Sequence, residues 1–209
     1  MSEQIPYSNI PMEISVAREA IGEYRSPNNR LSHMERAGDL IRLRRGLYVA
    51  HPRLSNQEIS RELIANNMYG PSYVSCESAL SYYSLIPERV NAVSSATIRR
   101  ARNYSTPLGV FEYVTVPREY FHIGIEQVII ENQYAFLIAS PEKALCDLVI
   151  TTSGLRFQSA RAAREYLLFD LRIDINERES WDTGIIQECA HHRRKRRELN
   201  FLWEVLYNG

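Results

Sequence analysis

Apolar and basic residues alternate in one short segment of the chain, where Ile41 and Leu43 are interleaved with Arg42 and Arg44. A period of two residues is typical of a β-strand with two unlike faces. A turn at Arg45-Gly46 follows, and the alternation then resumes, as expected for a hairpin. The pattern therefore predicts a β-hairpin with one apolar and one basic face.

The segment before this hairpin predicts a short helix. Ser26 is suited to cap it, Pro27 to open it and Gly38 to end it. A helix followed by a basic hairpin indicates a minimal winged helix-turn-helix, and an ordinary hairpin whose arginines only face solvent is the alternative. At helical spacing, the apolar residues Leu31, Met34 and Ala37 lie opposite Asn28, Asn29, Arg30, His33 and Arg36.

The rest of the chain predicts further helices and a sheet. Ile14, Ala17, Ile21 and Tyr24 recur at helical spacing, and Ser55-Asn56-Gln57-Glu58 resembles a capping box that opens another helix. A helix is also expected near residues 76–85, and one beginning at Ser140-Pro141. The expected strands are 92–98, 109–116, 121–125, 128–130 and 134–138, and the later helices lie near 158–170, 182–195 and 198–207.

These elements predict an α+β fold with two domains. Residues 1–52 are expected to form the winged helix-turn-helix. Residues 53–209 are expected to form a larger domain, an antiparallel β-meander flanked by helices, with a helical tail from about residue 151.

The sequence has 25 basic and 25 acidic residues and therefore no net charge, so only the local distribution of charge indicates a binding partner. Any attraction to nucleic acid must come from clusters of basic residues. Apart from Lys143 and Lys195 the basic residues are arginines, which suit bidentate contact with phosphate, guanine or carboxylate. Two clusters outside the hairpin are candidate partner-binding surfaces, and solvation or internal pairing is the alternative for each. They are Arg99, Arg100 and Arg102, and Arg193, Arg194, Lys195, Arg196 and Arg197.

Common catalytic motifs are missing from the sequence, which has no glycine-rich phosphate loop, no His-Glu-x-x-His and no Gly-x-Ser-x-Gly. Cys189 and the following His191 and His192 lack a third metal ligand nearby. We therefore expect no enzyme activity, cofactor or metal. A divergent nuclease is the alternative, and it would need carboxylates that converge near Glu131.

The cysteines and the N-terminal sequence indicate a cytoplasmic protein. Cys76, Cys146 and Cys189 are far apart in apolar contexts, which predicts buried thiols in a reducing compartment. The first residues lack a basic start and an apolar run, and no segment approaches 18 consecutive apolar residues. Association with a membrane is therefore not expected.

Three motifs occur in order along residues 13–150. They are Leu43-Arg44-Arg45-Gly46-Leu47-Tyr48, then Gly70-Pro71-Ser72-Tyr73-Val74-Ser75 leading to Ser78-Ala79-Leu80, and Ala139-Ser140-Pro141-Glu142-Lys143-Ala144-Leu145. In this combination the chain resembles the AbiEi-type antitoxins and transcriptional regulators of abortive-infection, type IV toxin-antitoxin systems, which act in phage defence. That family usually has one more N-terminal helix, which Pro6 and Pro11 disfavour here.

The resemblance implies two activities. The N-terminal winged helix would bind operator DNA and repress the operon, and the C-terminal domain would neutralise a nucleotidyltransferase-like toxin. A stand-alone transcriptional regulator or a protein-interaction module without a toxin is the alternative. The expected DNA-binding residues are Asn28, Asn29, Arg30, His33 and Arg36 in the helix, and Arg42, Arg44 and Arg45 in the hairpin.

Overall fold

The computed structural model describes residues 8–22, 25–88, 90–131, 133–175, 181–192 and 194–208. Within these ranges the chain forms nine strands, nine α-helices and one π-helical turn. The fold is therefore a mixed α+β fold, as predicted.

Residues 8–52, called the N-terminal unit below, form a small sheet with two helices. The elements are β1 (Met12–Glu13), α1 (Ile14–Ile21), α2 (Pro27–Arg36), β2 (Leu40–Arg44) and β3 (Leu47–Ala50). The three strands are antiparallel and lie in the order β1-β3-β2. Leu31 and Met34 of α2 pack with Leu40 and Tyr48 of the sheet, which places the helices on one face.

The ends of α2 follow the prediction in most respects. Pro27 is its first residue, but the Ser26 hydroxyl makes no capping hydrogen bond. The helix ends at Arg36, and Gly38 then adopts a positive φ of 72°, which glycine reaches at little steric cost. Ala37 is exposed rather than part of the apolar side, because it lies beyond the last helical residue.

Residues 53–208, called the C-terminal unit below, hold the remaining sheet and helices, with α3 (Pro52–Ser55) at the junction. The strands are β4 (Ser72–Val74), β5 (Ala92–Thr97), β6 (Arg102–Thr106), β7 (Gly109–Thr115), β8 (Ile125–Ile130) and β9 (Tyr134–Ala139). The helices are α4 (Arg61–Met68), α5 (Cys76–Tyr82), α6 (Pro141–Thr151), α7 (Ala160–Glu165) with the π-helical turn Tyr166–Asp170, α8 (Thr183–His191) and α9 (Arg196–Asn208).

The six-stranded sheet is mixed, so the predicted antiparallel meander is wrong. Its strand order is β6-β7-β5-β4-β9-β8. The β6-β7 and β8-β9 hairpins and the β4-β5 pair are antiparallel, whereas β5-β7 and β4-β9 are parallel. The prediction missed β4, which has three residues, and β6, which is largely polar, because neither shows apolar alternation. The strand expected at 121–125 is a series of turns before β8.

One predicted helix start is wrong and another is confirmed. The segment 55–58 does not open a helix, because α4 begins at Arg61, where the Ser60 hydroxyl accepts a hydrogen bond from the Leu63 amide at 3.1 Å. At α6, the Ser140 hydroxyl accepts a hydrogen bond from the Lys143 amide at 3.2 Å, as the sequence predicts.

The main hydrophobic core extends from the C-terminal unit into the N-terminal hairpin. Leu43, Leu47 and Val49 are buried in this core, whereas Leu40 and Tyr48 belong to the smaller core under α1 and α2. Apolar side chains therefore cover both faces of the β2-β3 hairpin. The prediction of one apolar and one basic face is wrong, and the hairpin joins the two units.

The three cysteines Cys76, Cys146 and Cys189 are buried free thiols, as predicted. Among the residues that the structure describes, no helix combines the length and the apolar character needed to cross a lipid bilayer.

Candidate nucleic-acid interface

A cleft of about 560 Å³ lies where the N-terminal hairpin meets the β6 edge of the large sheet. None of its lining residues is acidic. The cleft brings together basic residues from the hairpin and from the cluster around residue 100, which the sequence presents as separate groups. This arginine cleft is lined by Arg44, Arg45, Asn67, Met68, Tyr69, Gly70, Arg99, Arg102 and Tyr104.

Arg44 is held by contacts within the protein. Its Nε donates to the Met68 carbonyl at 3.0 Å and its Nη1 to the Arg45 carbonyl at 3.3 Å. Its Nη2 forms an ion pair with Glu13 Oε1 at 2.8 Å. With these donors already engaged, Arg44 fixes the hairpin against α4 and β1 and positions the wall of the cleft. The predicted contact of Arg44 with DNA has little support from this geometry.

The other three arginines of the cleft, Arg45, Arg99 and Arg102, are exposed. Within the described part of the chain, none of them forms an ion pair with a carboxylate. Three positive charges thus line one concave surface, and none of them is paired with a carboxylate among the described residues. Their mutual repulsion decreases when an anion enters the cleft, so the site favours binding of negatively charged groups.

Two tyrosine rings lie against these arginines. The guanidinium carbon of Arg102 is 4.9 Å from the centre of the Tyr104 ring and 5.9 Å from that of Tyr69, and the carbon of Arg99 is 5.7 Å from Tyr69. Cation–π contacts at these distances orient a guanidinium while its N–H groups remain able to bind phosphate. Neither tyrosine was predicted from the sequence to belong to a site. The available indication was that Tyr104 is only two residues from Arg102 in a polar segment.

The outer face of α2 is a second polar surface. Asn28, Asn29, His33 and Arg36 are exposed, opposite the buried side of the helix. Asn28 Oδ1 accepts a hydrogen bond from Arg18 at 2.9 Å, and Arg36 Nε donates to the Ser32 carbonyl within the helix at 3.1 Å. Arg30 is half-buried and interacts within the protein, so it is less accessible than predicted.

Arg42 of the hairpin contacts α2 rather than the arginine cleft. Its side chain is 47% exposed, and its Nη1 is 3.9 Å from Glu35 Oε1 of α2. An exposed ion pair at this distance contributes little stability. Arg42 can therefore exchange Glu35 for a phosphate at small cost.

The C-terminal basic cluster does not form one continuous surface. The Lys195 ammonium donates to the carbonyls of Val149 and Thr152 at 2.7 and 2.6 Å, which satisfies the end of α6, and burial lowers the pKa of Lys195. This geometry supports the internal role that the sequence left open for Lys195.

The remaining members of that cluster have different environments. Arg197 lies over the Phe201 ring at 5.5 Å and donates to the Gln158 carbonyl at 3.4 Å. Arg194 and Arg196 are exposed, and Arg196 lines a groove between α8 and α9 together with Trp203. Arg193 lies outside the described residues, and Arg100 is exposed beside the arginine cleft, where its carbonyl accepts from the Tyr69 hydroxyl at 3.2 Å.

The side chains considered for metal binding diverge. Cys189 is a buried free thiol. His191 is exposed, whereas the His192 ring packs edge-on against Tyr120 with 6.1 Å between ring centres. Among the described residues, no group of three histidine, cysteine or carboxylate side chains is arranged to hold a metal. Glu131 is exposed in the turn between β8 and β9.

A buried ion pair inside the C-terminal unit was not predicted. Lys143 and Asp147 are fully buried, with 3.3 Å between Nζ and Oδ1. The ammonium also donates to the Tyr120 carbonyl at 2.9 Å, and the Ser75 hydroxyl donates to Asp147 Oδ2 at 2.6 Å. These contacts join α6 to the start of α5 and to the turn at residue 120. Because the pair is enclosed, we assign it to stability rather than to chemistry.

Comparison with known proteins identifies no family for this chain. No family model matches it, and no curated protein matches its sequence. The proposals below are therefore based on the fold, on the chemistry of the two polar surfaces and on the three motifs that carry the resemblance.

Proposed function

We propose that the protein is a transcriptional regulator that binds operator DNA through its N-terminal unit. The proposal depends on one observation, the exposed polar face of α2 beside a hairpin that presents Arg42 and Arg45 to solvent. Two helices followed by a hairpin are the order of elements in a winged helix-turn-helix, in which the second helix enters the major groove and the wing contacts the backbone.

The proposed contacts follow from the chemistry of the exposed side chains. Asn29 can bind adenine through two hydrogen bonds, and Arg36 can bind guanine in the same manner. Arg42 and Arg45 would contact phosphates, which determine position and affinity rather than sequence preference. α2 is therefore assigned to sequence reading and the hairpin to phosphate binding.

The first prediction separates these two roles. Replacing Arg42 and Arg45 together with alanine should reduce the slope of log affinity against log salt by about two, since each phosphate contact contributes about 0.9. Asn29→Ala should instead lower the preference for the cognate site by about 1–3 kcal/mol and change the slope little. Fluorescence anisotropy with a duplex from the protein's own promoter, at several salt concentrations, measures both quantities.

The control for this experiment is the double replacement of Arg161 and Arg164 with alanine, which removes two exposed arginines from α7. It should leave both the slope and the preference unchanged. If the salt slope falls equally in the control, affinity for DNA depends only on the overall charge of the protein. If the slope is unchanged after loss of Arg42 and Arg45, the hairpin does not contact DNA phosphates.

We further propose that the regulator is an antitoxin that represses its own operon and neutralises a nucleotidyltransferase-like toxin through the C-terminal unit. The resemblance supports this proposal through three motifs that occupy defined positions, at the β2-β3 hairpin, at β4 with α5, and at the start of α6. A stand-alone regulator is the alternative, and a downstream reading frame that encodes such a toxin would favour the antitoxin.

Toxin neutralisation is expected to depend on two arginines of the C-terminal basic cluster. Arg194 and Arg196 are exposed, and Arg196 lines the groove that contains Trp203. Both arginines can bind an acidic protein surface. Changing both to glutamate should impair rescue of cells that express the cognate toxin, with little loss of fold stability. Survival on co-expression is the measurement, with thermal melting to confirm folding. Full rescue by the folded variant would show that these two arginines are not needed to neutralise the toxin.

A further inference from the structure

The arginine cleft contains two tyrosine rings that a bound duplex would leave without a contact. We propose that it is a second nucleic-acid site, which binds a nucleotide whose base is unpaired. Arg45, Arg99 and Arg102 would bind the phosphate, and the base would stack at Tyr69 and Tyr104. This site goes beyond the proposed reading of operator DNA, because it needs no double helix.

The size of the cleft favours a single nucleotide over a duplex. Its volume of about 560 Å³ is within the range of small-ligand sites, roughly 300–1,000 Å³. In a duplex the bases are paired and stacked inside, and the outer surface offers mainly phosphate and sugar groups. A duplex could therefore reach the arginines at the rim, whereas only an unpaired nucleotide brings an exposed base face to the tyrosines.

The charge of the cleft favours a phosphate ligand. Arg45, Arg99 and Arg102 have no carboxylate partner in the described part of the chain, and Arg44 is already held by Glu13 and two carbonyls. The planar guanidinium group matches two oxygens of a phosphate, which an ammonium group cannot do as specifically. The cleft thus has three arginines without a described carboxylate partner, and arginine is a residue type that binds phosphate well.

The aromatic rings are held in place before any ligand binds. The ring centres of Tyr69 and Tyr104 are 6.0 Å apart, and each ring also packs edge-on against buried Tyr113, at 5.2 and 5.9 Å. The Tyr113 hydroxyl is fixed by donation to the Ala65 carbonyl at 2.6 Å. Rigid rings beside arginines are typical of sites that bind single strands, where stacking accepts any base.

The nucleoside phosphate could belong to a single strand of nucleic acid or to a free nucleotide, and titration of the full-length protein distinguishes them. Fluorescent octathymidylate and ATP are the two probes, each measured by anisotropy or by competition. If octathymidylate binds more tightly than ATP, the ligand of the cleft is a single strand of nucleic acid. If ATP binds with equal strength, the ligand is a free nucleotide. No binding of either probe at low salt would refute the site.

Two variants test the proposed chemistry. Replacing Arg99 and Arg102 with alanine should weaken octathymidylate binding at least tenfold and reduce the salt slope by about 1.4, since each phosphate on a single strand contributes about 0.7. Tyr104→Leu should weaken binding on the order of tenfold with little change in slope, because it removes stacking but not charge. Inorganic triphosphate that competes as well as ATP would contradict a role for the rings.

The controls separate this site from the proposed operator site. The double replacement of Arg161 and Arg164 with alanine should bind octathymidylate as the wild type does, and equal loss in this control would overturn the assignment to the cleft. Asn29→Ala should also bind octathymidylate normally while losing preference for the promoter duplex. A wild-type protein that binds octathymidylate but no promoter duplex would refute the operator proposal and support the cleft.

Discussion

Replacing Asp147 with alanine is expected to destabilise the folded protein by about 3–5 kcal/mol, because this change leaves a buried cation without its partner. Lys143 and Asp147 are both fully buried, and once the carboxylate is gone the Lys143 ammonium keeps the Tyr120 carbonyl and the rings of Tyr120 and Tyr73, none of which carries a compensating charge. The Ser75 hydroxyl also loses its acceptor. Urea denaturation followed by circular dichroism measures the free energy of unfolding.

A double variant shows whether the loss comes from the unpaired charge. Lys143→Met combined with Asp147→Leu removes both charges and keeps apolar volume, so it should recover much of the stability that Asp147→Ala loses. Asp170→Ala, an exposed carboxylate, is the control and should change stability by less than about 0.5 kcal/mol. A double variant no more stable than Asp147→Ala would rule out the charge explanation.

The sequence signal for this pair was visible but ambiguous. Lys143 and Asp147 are four residues apart in α6, a spacing that surface helices commonly use for ion pairs. What distinguishes this pair is the apolar sequence around it, since Ala144, Leu145 and Leu148 are all buried. Burial on every side depends on how α5 and α8 pack against α6, which local sequence does not specify.

Local elements of the fold were predictable where local chemistry determines them. Pro27 begins α2, and Gly46 adopts a positive φ of 80° at the hairpin turn, a conformation that glycine reaches readily. The parallel pairings of β5 with β7 and of β4 with β9 were not predictable in the same way. They join segments that are distant along the chain, and the spacing of apolar residues within a strand does not determine which strands are neighbours in a sheet.

The candidate site was predictable only in parts. Arg45 and Arg99 belong to clusters that the sequence identifies as basic, but their convergence depends on contact between the hairpin and the β6 edge of the sheet. The internal roles of Arg44 and Lys195 depend on carbonyl groups far away in the sequence. Charge patterning therefore locates basic residues, whereas tertiary packing decides which of them are available to a ligand.

The core shared by the two units should make their unfolding cooperative. Leu47→Ala is expected to cost about 2–4 kcal/mol, because the side chain is buried in the core shared with the C-terminal unit. Trp181 and Trp203 both lie in the C-terminal unit, so their fluorescence reports its unfolding. We expect Leu47→Ala to lower the denaturation midpoint detected by these tryptophans, although the substitution lies in the N-terminal unit.

Leu31→Ala is the matched control, since Leu31 is equally buried but belongs to the smaller core under α1 and α2. Its effect on the tryptophan-detected midpoint should be smaller than that of Leu47→Ala, because its cavity forms away from the shared core. An unchanged midpoint in Leu47→Ala would show that the two units unfold independently. A lowered midpoint would mean that the hairpin stabilises the C-terminal unit, so that truncation at residue 52 would remove part of that unit's core.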